Sequence, residues 1–208
     1  MKSASTQWNS ATSILRFAGL VLCCSALAAC GPKQDRAPNK PAASSVTFQP
    51  REMADALHAV VAADREVYAR LVVQRLHDEK TLEAAPDWHE ANALPLPSQM
   101  LRLGSEVVQQ QGAEFHYVLR SLWAINPKGV PETDTERAGL RSVLEHPDRN
   151  FYAEESLGGR RYLTAVYPDM AVVPACADCH NRQARSPKRD FKQGDVMGGL
   201  IVRVPLQF

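Results

Sequence analysis

Pro174-Ala175-Cys176-Ala177-Asp178-Cys179-His180-Asn181 places a Cys-x-x-Cys-His motif late in a chain of 208 residues. Two thiols separated by two residues can each add across a vinyl group of haem, and the adjacent histidine is then held under the iron. Cys176 and Cys179 are the expected tethers of one haem c, and His180 its proximal ligand. The flanks of the motif bear on the fold. Pro174 precedes it, and Pro187, Gly194, Gly198 and Gly199 follow, so a long amphipathic helix cannot run through it. The motif is expected in the connection leading to the last strand of a mixed fold.

Two other uses of the cysteine pair fit the sequence less well. A zinc site needs two further nitrogen or sulfur ligands at matching spacing, and the chain beyond residue 30 has no second cysteine pair. A redox dithiol favours a helix N-terminus near the start of a βαβ unit. Here the motif follows an expected strand and a proline.

The first thirty residues read as a processing segment. Lys2 and Arg16 supply the positive region, and Phe17 to Ala29 form an apolar stretch too short to span a bilayer. The segment ends in Leu27-Ala28-Ala29-Cys30, which resembles a bacterial lipobox, so residues 1–29 are expected to be a lipoprotein signal peptide and Cys30 the lipidated residue. The alternative is an ordinary signal cut after Ala29. Gly31 lacks the aspartate associated with inner-membrane retention, which points to the outer membrane. Cysteine use then closes: Cys23 and Cys24 leave with the signal, Cys30 takes lipid, and two thiols remain for haem. Export agrees with that chemistry, since haem c is attached on the oxidising side of the membrane. The net charge of +1 gives no electrostatic footprint for a nucleic acid.

Residues 30–50, rich in Pro, Ala, Ser and Lys, have the composition of a flexible tether, leaving 51–208 as the folded domain. From Arg51 to about Glu79, Leu57, Val61, Tyr68, Val72 and Leu76 recur at helical spacing, which predicts one long amphipathic helix. Ser98 is the predicted N-cap of a second helix, and Gly112 its end. The period then changes to two through Phe115, Tyr117, Leu119 and Trp123, with Asn126 to Gly129 as a turn. Thr133 and Glu136 have capping-box spacing and open a short helix that Pro147 stops. Asn150–Leu157, Arg161–Tyr167 and Met197–Leu206 read as three strands, the first two joined across Gly158-Gly159. The expected class is α+β.

Several runs carry a resemblance. Leu94-Pro95-Leu96-Pro97-Ser98-Gln99-Met100, Leu119 to Asn126, Pro131-Glu132-Thr133, Tyr167-Pro168-Asp169, the haem motif, and Ser186 to Gly199 are similar to the DUF3365 family, also called Tll0287-like. The resemblance implies a PAS-like antiparallel sheet preceded by long helices, with haem c lodged between sheet and helices. Some relatives are free periplasmic proteins, and others are fused to signalling transmitters. None follows Phe208, so a fused output is not expected. The competing shape, a four-helix cytochrome bundle, is disfavoured by the prolines and glycines around the motif.

His180 leaves one axial position open, with His58, His77, His89, His116, His146, Met53, Met100, Met170, Met197 and Tyr68 as candidates. The resemblance singles out Tyr68, because in one branch of the family a cysteine of the first long helix reaches the iron from the matching position. Tyr68 is thus a candidate distal ligand or a wall of the pocket. Lys188 and Arg189, just after the motif, are the expected partners of the haem propionates. The reading as a whole is a lipid-anchored, periplasm-facing monohaem c module of the bacterial cell envelope. It would sense redox state or a small ligand at the iron and pass its state to a separate partner protein. The alternatives are a simple electron carrier and an enzyme acting on peroxide or nitrogen oxides, in which His58 or His116 would be the acid-base group.

Overall fold

The computed structural model describes residues 49–207. The expected signal peptide, Cys30 and nearly all of the tether lie outside the described residues.

The first long helix forms as its periodicity predicts. Helix α1 (Pro50–Val67) opens with Pro at the first helical position, where a missing N–H costs nothing, and the Glu52 carboxylate accepts a hydrogen bond from the Gln49 N–H at 3.2 Å. It runs on through a π-helical stretch, Tyr68–Gln74, into a last turn, α2 (Arg75–Asp78). Within one long helix, π geometry is a local departure of the kind that recurs at functional sites. A two-residue parallel pair, β1 (Ala84–Ala85) with β2 (Leu94–Pro95), follows.

Helix α3 (Pro97–Gln110) starts two residues before the sequence-based expectation: Leu96, not Ser98, is the N-cap. Pro97 explains the shift, because its fixed φ already matches the first helical residue, and Gln99 Oε1 accepts from Leu96 N–H at 2.9 Å. Gly112, at φ +80°, stands just past the end as expected.

Four antiparallel strands follow, β3 (His116–Arg120), β4 (Phe151–Leu157), β5 (Arg160–Met170) and β6 (Val196–Pro205), in the order β3-β6-β5-β4. The β4–β5 hairpin turns through Gly158 and Gly159, both at positive φ, as the Gly-Gly pair predicts. Strand β3 ends at Arg120, short of the predicted Trp123. Ser121 explains this: its hydroxyl donates to Met197 O at 2.6 Å and accepts from Trp123 N–H at 3.0 Å, folding the chain out of the ladder. Trp123 then joins a small satellite cluster with Ala177, Phe191, Met197 and Cys176.

Alternation divides the sheet into two faces. Ala165, Tyr167, Leu200, Val202 and Val204 pack with Ala54 of α1 and Leu101 of α3. Val166 and Ile201 pack on the other face against Leu140 and Val143 of α4 (Asp134–Glu145). The sheet is thus covered on both sides, consistent with a β6 that is buried along its whole length. Among the described residues, no helix is long and apolar enough to cross a membrane.

Candidate functional site

The connection from β5 to β6 carries the motif, and it is not irregular: it folds as a short helix, α5 (Pro174–Arg182). Pro174, which bars a long helix from running into the motif, starts this short one at its first position. Cys176, Cys179 and His180 lie three and four residues apart, so helical spacing brings all three to one face. The pair also stands near a helix N-terminus, as a redox dithiol would. Burial nevertheless pushes the Cys179 thiol up, which disfavours the reactive thiolate.

Beyond α5 the chain returns through a loop that Asn181 clamps. Its amide donates to Phe191 O at 2.8 Å and accepts from Phe191 N–H at 3.0 Å. Phe191 meets the His180 ring edge-on at 5.8 Å and Trp123 edge-on at 5.7 Å, which fixes the imidazole's orientation. Burial holds His180 below the ordinary imidazole range, against the pull of Asp169 and with a smaller push from Arg65. The ring is thus neutral, the form that ligates a metal. Its Nδ1 is buried and has no hydrogen-bond partner in the protein.

The first helix grips the segment leading into the motif at two points. The Arg65 guanidinium pairs with Asp169 through both terminal nitrogens, one of them at 3.3 Å, and Gln74 Oε1 accepts from Ala175 N–H at 3.2 Å. Asp169 stands at an irregularity in the β5–β6 register, between Asp169 and Met170. Between these elements lies a cavity of about 170 Å³. It is lined by apolar side chains such as Leu101, Leu119, Met170, Val172 and Leu200, with His58, Arg65, Glu66 and Asp169 as its polar members. Cofactor pockets span roughly 300–1,000 Å³, so a macrocycle would fill this space and extend past it. The donor set fits a covalent haem: two thiols and a neutral imidazole on one helix face, and an apolar cavity beside the segment that leads to it.

The geometry sorts the remaining candidates. His58 lines the cavity, its ring stacked on Tyr167 at 3.8 Å and held below the usual range by burial, against Asp55 and Asp169. Tyr167 in turn donates to Asp55 at 2.7 Å. Met170 lines the cavity too. His116 is on the α4 side of the sheet beside Arg203, His77 pairs with Glu83 at 2.8 Å, His89 stacks on Trp88, and His146 caps α4. Met53 packs on the main core, and Met197 belongs to the satellite cluster. Tyr68 opens the π-helical stretch, outside the cavity lining, and its hydroxyl donates to Pro95 O at 2.7 Å.

Lys188 is placed over Phe191 at 4.8 Å from the ring centre and paired with Asp190, while Arg189 donates to the carbonyls of Ser186 and Ala184. Both brace the loop around the motif, and neither lines the cavity. Sequence reading missed Arg65, Asp169 and Gln74. Asp169 stood within a run that carries the family resemblance, but no spacing or motif marked any of the three for a role.

A model of the Tll0287-like family matches residues 43–205. Among solved structures, the cyanobacterial heme-protein Tll0287 is similar at 16% identity and a TM-score of 0.46, over 76% of this chain and 98% of that one. No curated protein matches the chain. With nearly all of its described residues inside the matched range, the chain belongs to the Tll0287-like family.

Proposed function

We propose that the protein is a monohaem c protein of the bacterial cell envelope, with haem joined to Cys176 and Cys179 and His180 beneath the iron. The observation that carries this is the convergence of two thiols and a half-buried, neutral imidazole on one face of α5, just after the segment Pro168 to Val172 that lines an apolar cavity, although the three motif side chains are not in its lining. Membership of a family that includes a haem protein supports it. Bound haem supplies an iron that can exchange an electron or take a small ligand. The chain's own residues do the rest: Phe191 orients His180, the Asn181 clamp holds the loop against α5, and Leu101, Leu119 and Leu200 keep water from the cavity. We read the role as redox or small-ligand sensing by a PAS-like module, tethered to the periplasmic side of a membrane through lipid on Cys30. A separate protein would receive its state.

A second reading, plain electron transfer, is favoured by His58 and Met170. Both line the cavity, and either would complete a six-coordinate low-spin iron. Co-expression with a haem c maturation system should add the mass of one haem that survives acid-acetone extraction. Absorption spectra with and without carbon monoxide then divide the two readings. Carbon monoxide binding to ferrous iron favours sensing, and an unreactive low-spin iron in both oxidation states favours electron transfer. Cys30→Ser should release the protein from the membrane fraction, and native protein found free of membranes would remove the anchor.

A further inference from the structure

Arg65 is the one fixed cation among the residues lining the cavity. Its side chain is 17% exposed, and Asp169, its partner, 13%. A guanidinium offers two edges that can each grip a carboxylate: the end, formed by the two terminal nitrogens, and the side, formed by Nε and one terminal nitrogen. Asp169 takes the end edge, since both of its oxygens meet terminal nitrogens. The side edge is left over, and its Nε is buried without a partner. Few buried donors are left in this state, and one on a cavity-lining cation calls for an acceptor supplied by something else. Glu66, the other carboxylate nearby, is already engaged by Arg70 at 2.6 Å.

We infer that the side edge of Arg65 binds a carboxylate brought in by the ligand, and that this carboxylate is a haem propionate. The inference rests on the haem reading above and deepens it: it assigns the propionate contact to the first helix instead of the loop after the motif. Lys188 and Arg189 already have partners outside the cavity. The cavity otherwise offers apolar side chains to a porphyrin face, with Arg65 and Asp169 set together at one place in its wall. Arg65 would thereby tie the haem edge, α1 and the end of β5 to one another. A soluble small acid presents the same carboxylate chemistry, and the test separates the two sources.

The test uses holoprotein carrying haem labelled with ¹³C at the propionate carboxyls. Redox-difference infrared spectra should contain a labelled carboxylate band that shifts in Arg65→Gln, while Lys188→Gln and Arg189→Gln leave it in place. Arg65→Lys, which keeps the charge for Asp169 but has no second edge, should shift the band as well. Midpoint potentials add an independent reading. Removing the cation in Arg65→Gln favours ferric iron and lowers the potential, and removing the anion in Asp169→Asn raises it. A bridge that merely holds the helix to the sheet would move both potentials in the same direction, and that result overturns the inference. So does a labelled band indifferent to Arg65, which would leave its open edge to a soluble acid. Failure of the wild-type chain to acquire covalent haem is a different outcome, which removes the haem reading and this inference together.

Discussion

The two faces of the sheet bury charge differently: each leaves one arginine Nε without a partner, but only Arg65 stands in a cavity wall. On the α4 face, Glu136 is fully buried and nearly every bond it can make is made: one oxygen accepts from the backbone N–H groups of Glu132 and Thr133, and the other from Arg203 at 2.9 Å. Arg203 also reaches Glu155 at 2.8 Å, Glu155 accepts from Thr164, and Arg120 pairs with Glu132 at 2.7 Å, while its Nε, 3.6 Å from Glu136, is buried without a hydrogen bond. On the α1 face, Arg65 keeps one buried edge unused, His180 keeps one buried nitrogen unused, and a cavity lies beside Arg65. An unpartnered buried donor costs about 1–3 kcal/mol, so a fold tolerates one where a ligand will satisfy it. The Glu136 network, with Arg120 Nε its one leftover donor, holds the sheet to α4, and the open edge of Arg65, set in a cavity wall, awaits a group.

The comparison can be broken at its largest effect first. Cys176→Ala with Cys179→Ala should abolish covalent haem in the acid-acetone assay and leave the apoprotein folded by circular dichroism, because the thiols hold no structural bond. Unfolding of that variant would mean that the motif face is structural after all. Glu136→Gln should cost about 3 kcal/mol in urea unfolding, the low end for breaking a buried pair, since Arg203 loses one buried carboxylate and keeps Glu155. A loss under about 1 kcal/mol would erase the contrast between the faces.

A backbone test comes next. In β6, a Cβ at Gly198 would overlap the Arg120 carbonyl oxygen, which belongs to the neighbouring strand and cannot rotate away. Gly198→Ala should therefore destabilise the protein by about 1–3 kcal/mol, while Gly112→Ala, with open space around it, should cost only the strain of its positive φ.

The pH dependence should be smaller and has a definite sign. His58, His116 and His180 are each held below the ordinary imidazole range by burial, so the unfolded chain binds more protons just below about pH 6.5. Apoprotein stability should be full above that pH and fall as the medium is acidified toward the folded values, which urea midpoints from about pH 7 down to about pH 5.5 would record. The depressed Glu155 carboxyl adds its own loss at lower pH, below the usual carboxylate range. The smallest expected effect is that of Tyr68→Phe, about 1 kcal/mol from the lost bond to Pro95 O. A changed ferric spectrum in that variant would show that the hydroxyl leaves Pro95 for the haem side.

Much of this was legible in advance, because it is encoded over short spans. Leu57, Val61, Val72 and Leu76 marked a helix through their period, Thr133 and Glu136 marked the start of α4 through a capping box, and Gly158-Gly159 marked a hairpin through tolerance of positive φ. The Cys-x-x-Cys-His motif was legible because the chemistry proposed for it needs only five adjacent residues. Trp123 misled because alternation records which face a side chain prefers and cannot register Ser121 turning the backbone toward Met197. Pro174 and the glycines after the motif correctly excluded a long helix, but the short one was not legible, because a proline that breaks a long helix also starts a short one.

By itself, then, the sequence determined the long helices, the four main strands and their order, and it offered candidate residues for holding haem, since periodicity, capping and covalent chemistry act between neighbours. Only the tertiary structure decided which side of the first helix meets the cavity, placing His58 and Arg65 in the lining and giving Tyr68 a carbonyl partner. It also joined Arg65 to Asp169 across 104 residues and gathered Glu136, Glu155 and Arg203 into one buried network. Such pairings depend on how the strands cross and where a register shift falls, and the hydrophobic pattern that drives collapse is silent about which distant charge a buried charge will meet.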